Sequence, residues 1–166
     1  MKRKLVSLVL ATAMATSMMA MPVFAENAAT EEAAADVDLS DKKVGVCIYQ
    51  FSDNFMTLLR TELENYLVEL GFSKDNITIQ DGANDQATQS NQIDAFIADG
   101  VDVLIINPVN SSSAESITDK VVAANIPLVY INREPSEDEE KRWDDNDWNV
   151  TYVGCDARQS GTMQGE

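Results

Sequence analysis

The sequence predicts an α/β fold in which a doubly wound parallel sheet is covered by helices on both faces. Three observations carry this reading. Several short runs are apolar at nearly every position instead of alternating, as in strands buried on both sides. Segments between them show apolar residues at helical spacing. Strand and helix signals then alternate from about residue 42 onward, a pattern that belongs to parallel strands joined by crossover helices.

Val44-Gly-Val-Cys-Ile-Tyr49 is the first predicted strand. A helix is predicted from Asn54 to Leu70, with Phe55, Leu58, Leu59, Leu63, Tyr66, Leu67 and Leu70 facing inward and Gly71 ending it. Ile77-Thr-Ile-Gln80 is the second strand. The helix from Asp85 to Asp99 turns Ile93, Phe96 and Ile97 inward and is closed by Gly100. Val101 to Asn107 forms the third strand, and Ser112-Ser-Ala-Glu115 has the form of a capping box opening a helix to Ala124. Leu128-Val-Tyr-Ile131 and Val150-Thr-Tyr-Val153 complete the set. Residues 137–149 (EDEEKRWDDNDWN) break the pattern and are expected to form a long solvated loop carrying Trp143 and Trp148. They lack the glycine and closing glutamate of an EF-hand loop, which argues against calcium there.

The N-terminus reads as an export signal. Lys2, Arg3 and Lys4 precede an apolar run, Pro22 ends it, and Val23-Phe24-Ala25 supplies the small residues of a cleavage site. Residues 1–25 are therefore expected to be a signal peptide, and the acidic, Ala-rich residues 26–41 a disordered leader. Losing the three signal-peptide cations takes the formal charge from −16 to −19. So acidic a chain repels phosphate backbones and is not expected to bind nucleic acid. Cys47 and Cys155 are expected to be two small buried thiols rather than a disulfide. The sequence contains no histidine, the commonest acid–base residue, and no glycine-rich phosphate loop or nucleophile elbow.

In open parallel sheets ligands bind at the carboxyl ends of the strands. Asp53 there offers a carboxylate that can accept from two neighbouring hydroxyls, and Phe55 an aromatic face for the C–H surface of a sugar ring. Asn132 can donate and accept at once. Each also has a role without ligand: Asp53 as a helix N-cap, Phe55 as a core staple, Asn132 as a turn residue.

The segments IYQFSDNFM, NDQATQSNQID, INREPS and YVGCDARQSG, in this order, resemble the periplasmic galactose/glucose-binding proteins of ABC transporters and chemotaxis over about residues 42–166. The resemblance implies two similar α/β lobes joined by a three-segment hinge, with the sugar between them. It implies that Asp53 accepts from hexose hydroxyls, Phe55 stacks on the ring and Asn132 hydrogen-bonds a hydroxyl, with Tyr49 and Arg133 in support. Arg133 stands where the family often has Lys, and Ser52 where it has Asp. Residues 42–154 would be the N-terminal lobe without its returning strand. Residues 155–166 would be the first hinge crossing and the start of a second lobe missing from this sequence. That lobe carries the family's calcium loop, so neither metal nor cofactor is expected here. The implied protein is extracytoplasmic, is not an enzyme, captures D-galactose or D-glucose, and delivers it to an ABC permease or a chemoreceptor. A sugar sensor feeding a membrane kinase is the rival within the binding class; an exported α/β enzyme domain is the rival outside it.

Overall fold

The computed structural model describes residues 37–155. The expected signal peptide, most of the expected acidic leader, and all but Cys155 of the expected hinge crossing and second-lobe start (155–166) lie outside the described residues. Five strands, β1 (Val44–Ile48), β2 (Ile77–Asp81), β3 (Val103–Ile106), β4 (Leu128–Ile131) and β5 (Val150–Val153), form one parallel sheet in the order β2-β1-β3-β4-β5. Four helices connect them: α1 (Asn54–Glu69), α2 (Gln86–Ala98), α3 (Ala114–Ala123) and α4 (Glu137–Asp145). The chain runs outward from β1 to β2, then returns past β1 to β3. Loops at the carboxyl ends of β1 and β3 therefore diverge, which opens a crevice at that switch point.

Alternate residues of the strands feed two cores. Cys47, Leu104, Ile106, Leu128 and Tyr130 meet Ile93 and Phe96 of α2, Ile117 and Val121 of α3, and Trp143 of α4. Val44, Val46, Ile48 and Ile105 face the opposite way, against Met56 and Leu67 of α1. A side chain such as Ile48, fully buried, contributes roughly 1.5–3 kcal/mol relative to exposure. Gly45 in β1 is a close approach: a Cβ there would lie 2.8 Å from the Phe96 ring, so α2 sits directly on the sheet.

The α/β doubly wound expectation holds, and the strands and first two helices lie within two residues of their predicted bounds. Four details differ. The predicted inner face of α1 is too broad. Met56, Leu59, Leu63 and Leu67 pack toward the sheet, whereas Phe55, Leu58, Tyr66 and Leu70 remain exposed. These are two adjacent apolar stripes, and the helix lays one of them on the strands. The capping box at Ser112 is not used: Asn110 caps a 3₁₀ turn (Ser111–Ser113), accepting from the Ser112 N–H, and α3 continues from it. The thiols divide, Cys47 being buried and Cys155, just past the edge strand β5, exposed.

The largest correction concerns residues 137–149, expected as a solvated loop. Most of this stretch is α4. Ser136 caps it by accepting from the Glu139 N–H, and four carboxylates in the first turn suit the positive end of the helix dipole. Trp143 is 4% exposed and stacks on Tyr130, with ring centroids 5.5 Å apart and planes 8° from parallel. Its indole N–H donates to Glu139 at 2.7 Å, and Arg142 donates to both oxygens of the same carboxylate. One apolar anchor and one satisfied buried charge are thus enough to dock a helix whose remaining surface is polar.

Candidate sugar-binding site

Every residue singled out from the sequence lies just beyond the carboxyl end of a strand or in the following helical turn. Tyr49 follows β1 directly and is 8% exposed; its hydroxyl donates to Asp53 Oδ2 at 2.8 Å. Asp53 is the N-cap of α1, and its Oδ1 accepts from the N–H groups of Phe55 (2.7 Å) and Met56 (3.3 Å). The N-cap role weighed for Asp53 is therefore real. It does not exhaust the group, because an ionised carboxylate accepts about four hydrogen bonds and three are made here. The hydroxyl of Tyr49, the N–H groups of α1 and the charge of Arg133 hold the Asp53 carboxyl below its ordinary range. The same Asp53 bond pushes the Tyr49 phenol up.

Arg133 lies across the face of Tyr49, its guanidinium carbon 3.8 Å from the ring centroid. It is held there by two backbone carbonyls beyond β3, Nη1 donating to Val109 at 2.6 Å and to Pro108 at 3.3 Å. Asn132 has φ +64, the left-handed region that Asn tolerates better than most residues, so it does sit at a turn, though its side chain does not bond its own backbone there. Its backbone is fixed on both sides, the N–H donating to Val153 and the carbonyl accepting from Tyr152. Its side-chain amide has no partner among the described residues and is exposed.

Phe55 is 57% exposed and is not a core staple. With Asn132 it lines the upper part of a groove of about 830 Å³, which continues between Leu59, Leu63 and Tyr66 of α1 and Ile131 and Val153 of the sheet. Tyr49, Asp53 and Arg133 thus form one contacting cluster, and Phe55 and Asn132 stand together along the adjoining groove. The arrangement offers a carboxylate, an amide, a cation with unused donors and an exposed aromatic face. That set suits a neutral polyhydroxylated ring, whose hydroxyls need acceptors and donors and whose C–H face needs apolar cover.

What sequence reasoning missed is the way the group is locked. Arg133 looked like a neighbour of Asn132; the structure shows its guanidinium bridging the loops after β1, β3 and β4. A second concavity of about 610 Å³, between Ser111, Glu134, Asp138 and Arg142, is a weaker candidate. Its cation is already taken up by Glu139, Asp119 and the Glu115 carbonyl. Among the described residues, no three His, Cys, Asp or Glu side chains lie close enough to hold a metal ion.

A D-galactose/methyl-galactoside binding periplasmic protein of Haemophilus influenzae is 34% identical over 127 residues, covering 76% of this chain and 37% of the relative. A candidate rhizopine-binding protein of Rhizobium meliloti is 41% identical over 124 residues, covering 73% and 37%. An ABC transporter solute binding protein from Bacillus halodurans, solved with bound myo-inositol, superposes with a TM-score of 0.54 at 31% identity, covering 61% of this chain and 35% of that one. The chain therefore spans little more than a third of the length of these curated relatives. The family model described as "Periplasmic binding protein domain" matches residues 44–166, which takes in all five strands and every residue of the candidate site, and the chain belongs to that family.

Proposed function

We propose that this chain is the N-terminal lobe of an extracytoplasmic solute-binding protein that captures D-galactose or D-glucose and passes it to an ABC transporter permease. In this reading residues 1–25 are a removed signal peptide and 26–41 a leader. Residues 42–154 form the lobe, and 155–166 enter the hinge and a second lobe. The observation that carries it is the Asp53 carboxylate, pinned by Tyr49 and α1 beside exposed Phe55 at the sheet's carboxyl edge. The shared length with the relatives, little more than a third, supports reading the chain as one of two lobes. Held below the usual carboxylate range, Asp53 stays ionised near neutral pH, the state in which it accepts from hydroxyls most strongly.

A second reading has its own support: the 31% identical solved structure holds myo-inositol, a cyclitol of the same ring size. Calorimetric titration of the two-lobed parent with D-galactose, D-glucose and myo-inositol separates the two, since a hexose reading requires that a hexose bind more tightly. Asp53→Ala is expected to weaken the preferred ligand at least about a hundredfold, as befits loss of charge-assisted bonds in a closed cleft. Unchanged affinity in that variant would remove the site assignment.

A further inference from the structure

The candidate site is supported from behind by a residue with no part in it so far. Gln89, in the first turns of α2, is 0% exposed. Burying an amide is unfavourable unless both ends are bonded, and here both are. Nε2 donates to the Asn107 carbonyl at 2.9 Å, and Oε1 accepts from the Val109 N–H at 2.8 Å. Gln86, nearly one turn earlier, accepts from the Asn110 N–H at 3.2 Å. Helix α2 thus grips residues 107–110 at three points. The middle of that gripped segment supplies the Pro108 and Val109 carbonyls that hold Arg133.

A continuous chain of contacts follows. Gln89 fixes the segment, the segment orients Arg133, Arg133 covers Tyr49, and Tyr49 donates to Asp53. Gln89 is the one fully buried polar residue of α2, whose other buried side chains, Ile93 and Phe96, are apolar. An apolar residue of similar size would fill the same space and leave the Val109 N–H without its acceptor.

We propose that Gln89 is a positioning residue for the ligand-binding carboxylate, acting through residues 107–110, Arg133 and Tyr49 to set where Asp53 presents its remaining lone pair. This rests on the sugar-binding reading above. The charged and titratable groups facing Asp53 are Tyr49 from its own loop and Arg133 from the loop after β4; α1 contributes the N–H groups of Phe55 and Met56.

Gln89→Met keeps the length of the side chain and removes both hydrogen bonds. In the parent protein, the dissociation constant for whichever of D-galactose, D-glucose or myo-inositol binds most tightly should rise about tenfold, the equivalent of one buried hydrogen bond. In an Arg133→Met background the same change should add less than about twofold, because the relay is already cut. Equal losses in both backgrounds, or no loss with Arg133 present, overturn the proposal.

If Gln89→Met does not fold, NMR of the unsubstituted chain decides. The Gln89 side-chain amide resonances should shift as Asp53 titrates, and Tyr49→Phe should abolish that shift. Resonances that ignore the titration overturn the relay. Asp53→Ala with unchanged affinity would mark failure of the site reading itself, while the amide titration, which uses no ligand, still judges the relay.

Discussion

Replacing Trp143 tests whether α4 is a docked helix or the solvated loop its composition suggests. Trp143→Phe keeps a ring stacked on Tyr130 and removes the N–H that donates to Glu139 at 2.7 Å. Hydrogen bonds to charged groups contribute about 1.5–3 kcal/mol. Because Arg142 still donates to both oxygens of Glu139, the low end, about 1.5 kcal/mol, is expected. Trp143→Ala also opens a cavity, so its total should reach about 4–5 kcal/mol. That is a large part of the about 5–15 kcal/mol that holds a typical domain together. Urea denaturation followed by far-UV circular dichroism reads both values as shifts in midpoint.

Acid adds an internal check. Burial pushes Glu139 up, but the bonds and charge of Arg142 and the Trp143 N–H outweigh this and leave its pKa below the ordinary 4.5. A depressed carboxylate contributes stability above its unfolded pKa and loses it as pH falls through the folded value. The Trp143→Phe deficit should therefore shrink at pH values below the ordinary 4.5. Both variants within about 0.5 kcal/mol of the parent would mean that α4 is not anchored as described.

Three further outcomes concern the site and the thiols. Asn132→Gly should bind ligand markedly less tightly while keeping its stability within about 0.5 kcal/mol, because glycine tolerates the left-handed backbone but brings no amide; unchanged affinity by calorimetry would reduce Asn132 to a turn residue. Ligand affinity should hold constant from neutral pH down through the ordinary carboxylate range. It should fall only as Asp53 protonates at its lowered pKa, so a loss beginning near pH 6 would implicate another group. Native alkylation followed by mass spectrometry should label one thiol, exposed Cys155, since burial pushes the Cys47 thiol up to about 12.

Much of this was legible in the sequence, and the reasons are specific. β1 and β3 are apolar at nearly every position, so period alone marks them as strands covered on both sides. Asp85 announces α2 by side-chain chemistry and indeed accepts from the Thr88 N–H. α4 was obscured because its charge density mimics a loop. Its one readable sign, Ser136 three residues before Glu139, is a capping-box spacing submerged in acidic residues. In α1 a hydrophobic count could not choose between two neighbouring stripes, since that choice depends on where the sheet lies. Among the site residues, strand ends marked Asp53 and Asn132. The bridging of three loops by Arg133 depends on crossovers that no local pattern encodes.

The strand order also dictates a sequence of events during synthesis. β1 leads the other strands in the chain yet lies between two strands made later. Val46 and Cys47, fully buried in the finished sheet, have no second neighbour until β3 has been translated. At typical elongation rates that interval lasts roughly 3–12 seconds. For its duration the first strand is an extended, sticky segment open to any holding factor, and only once β3 has closed over it can β4 and β5 extend the sheet outward.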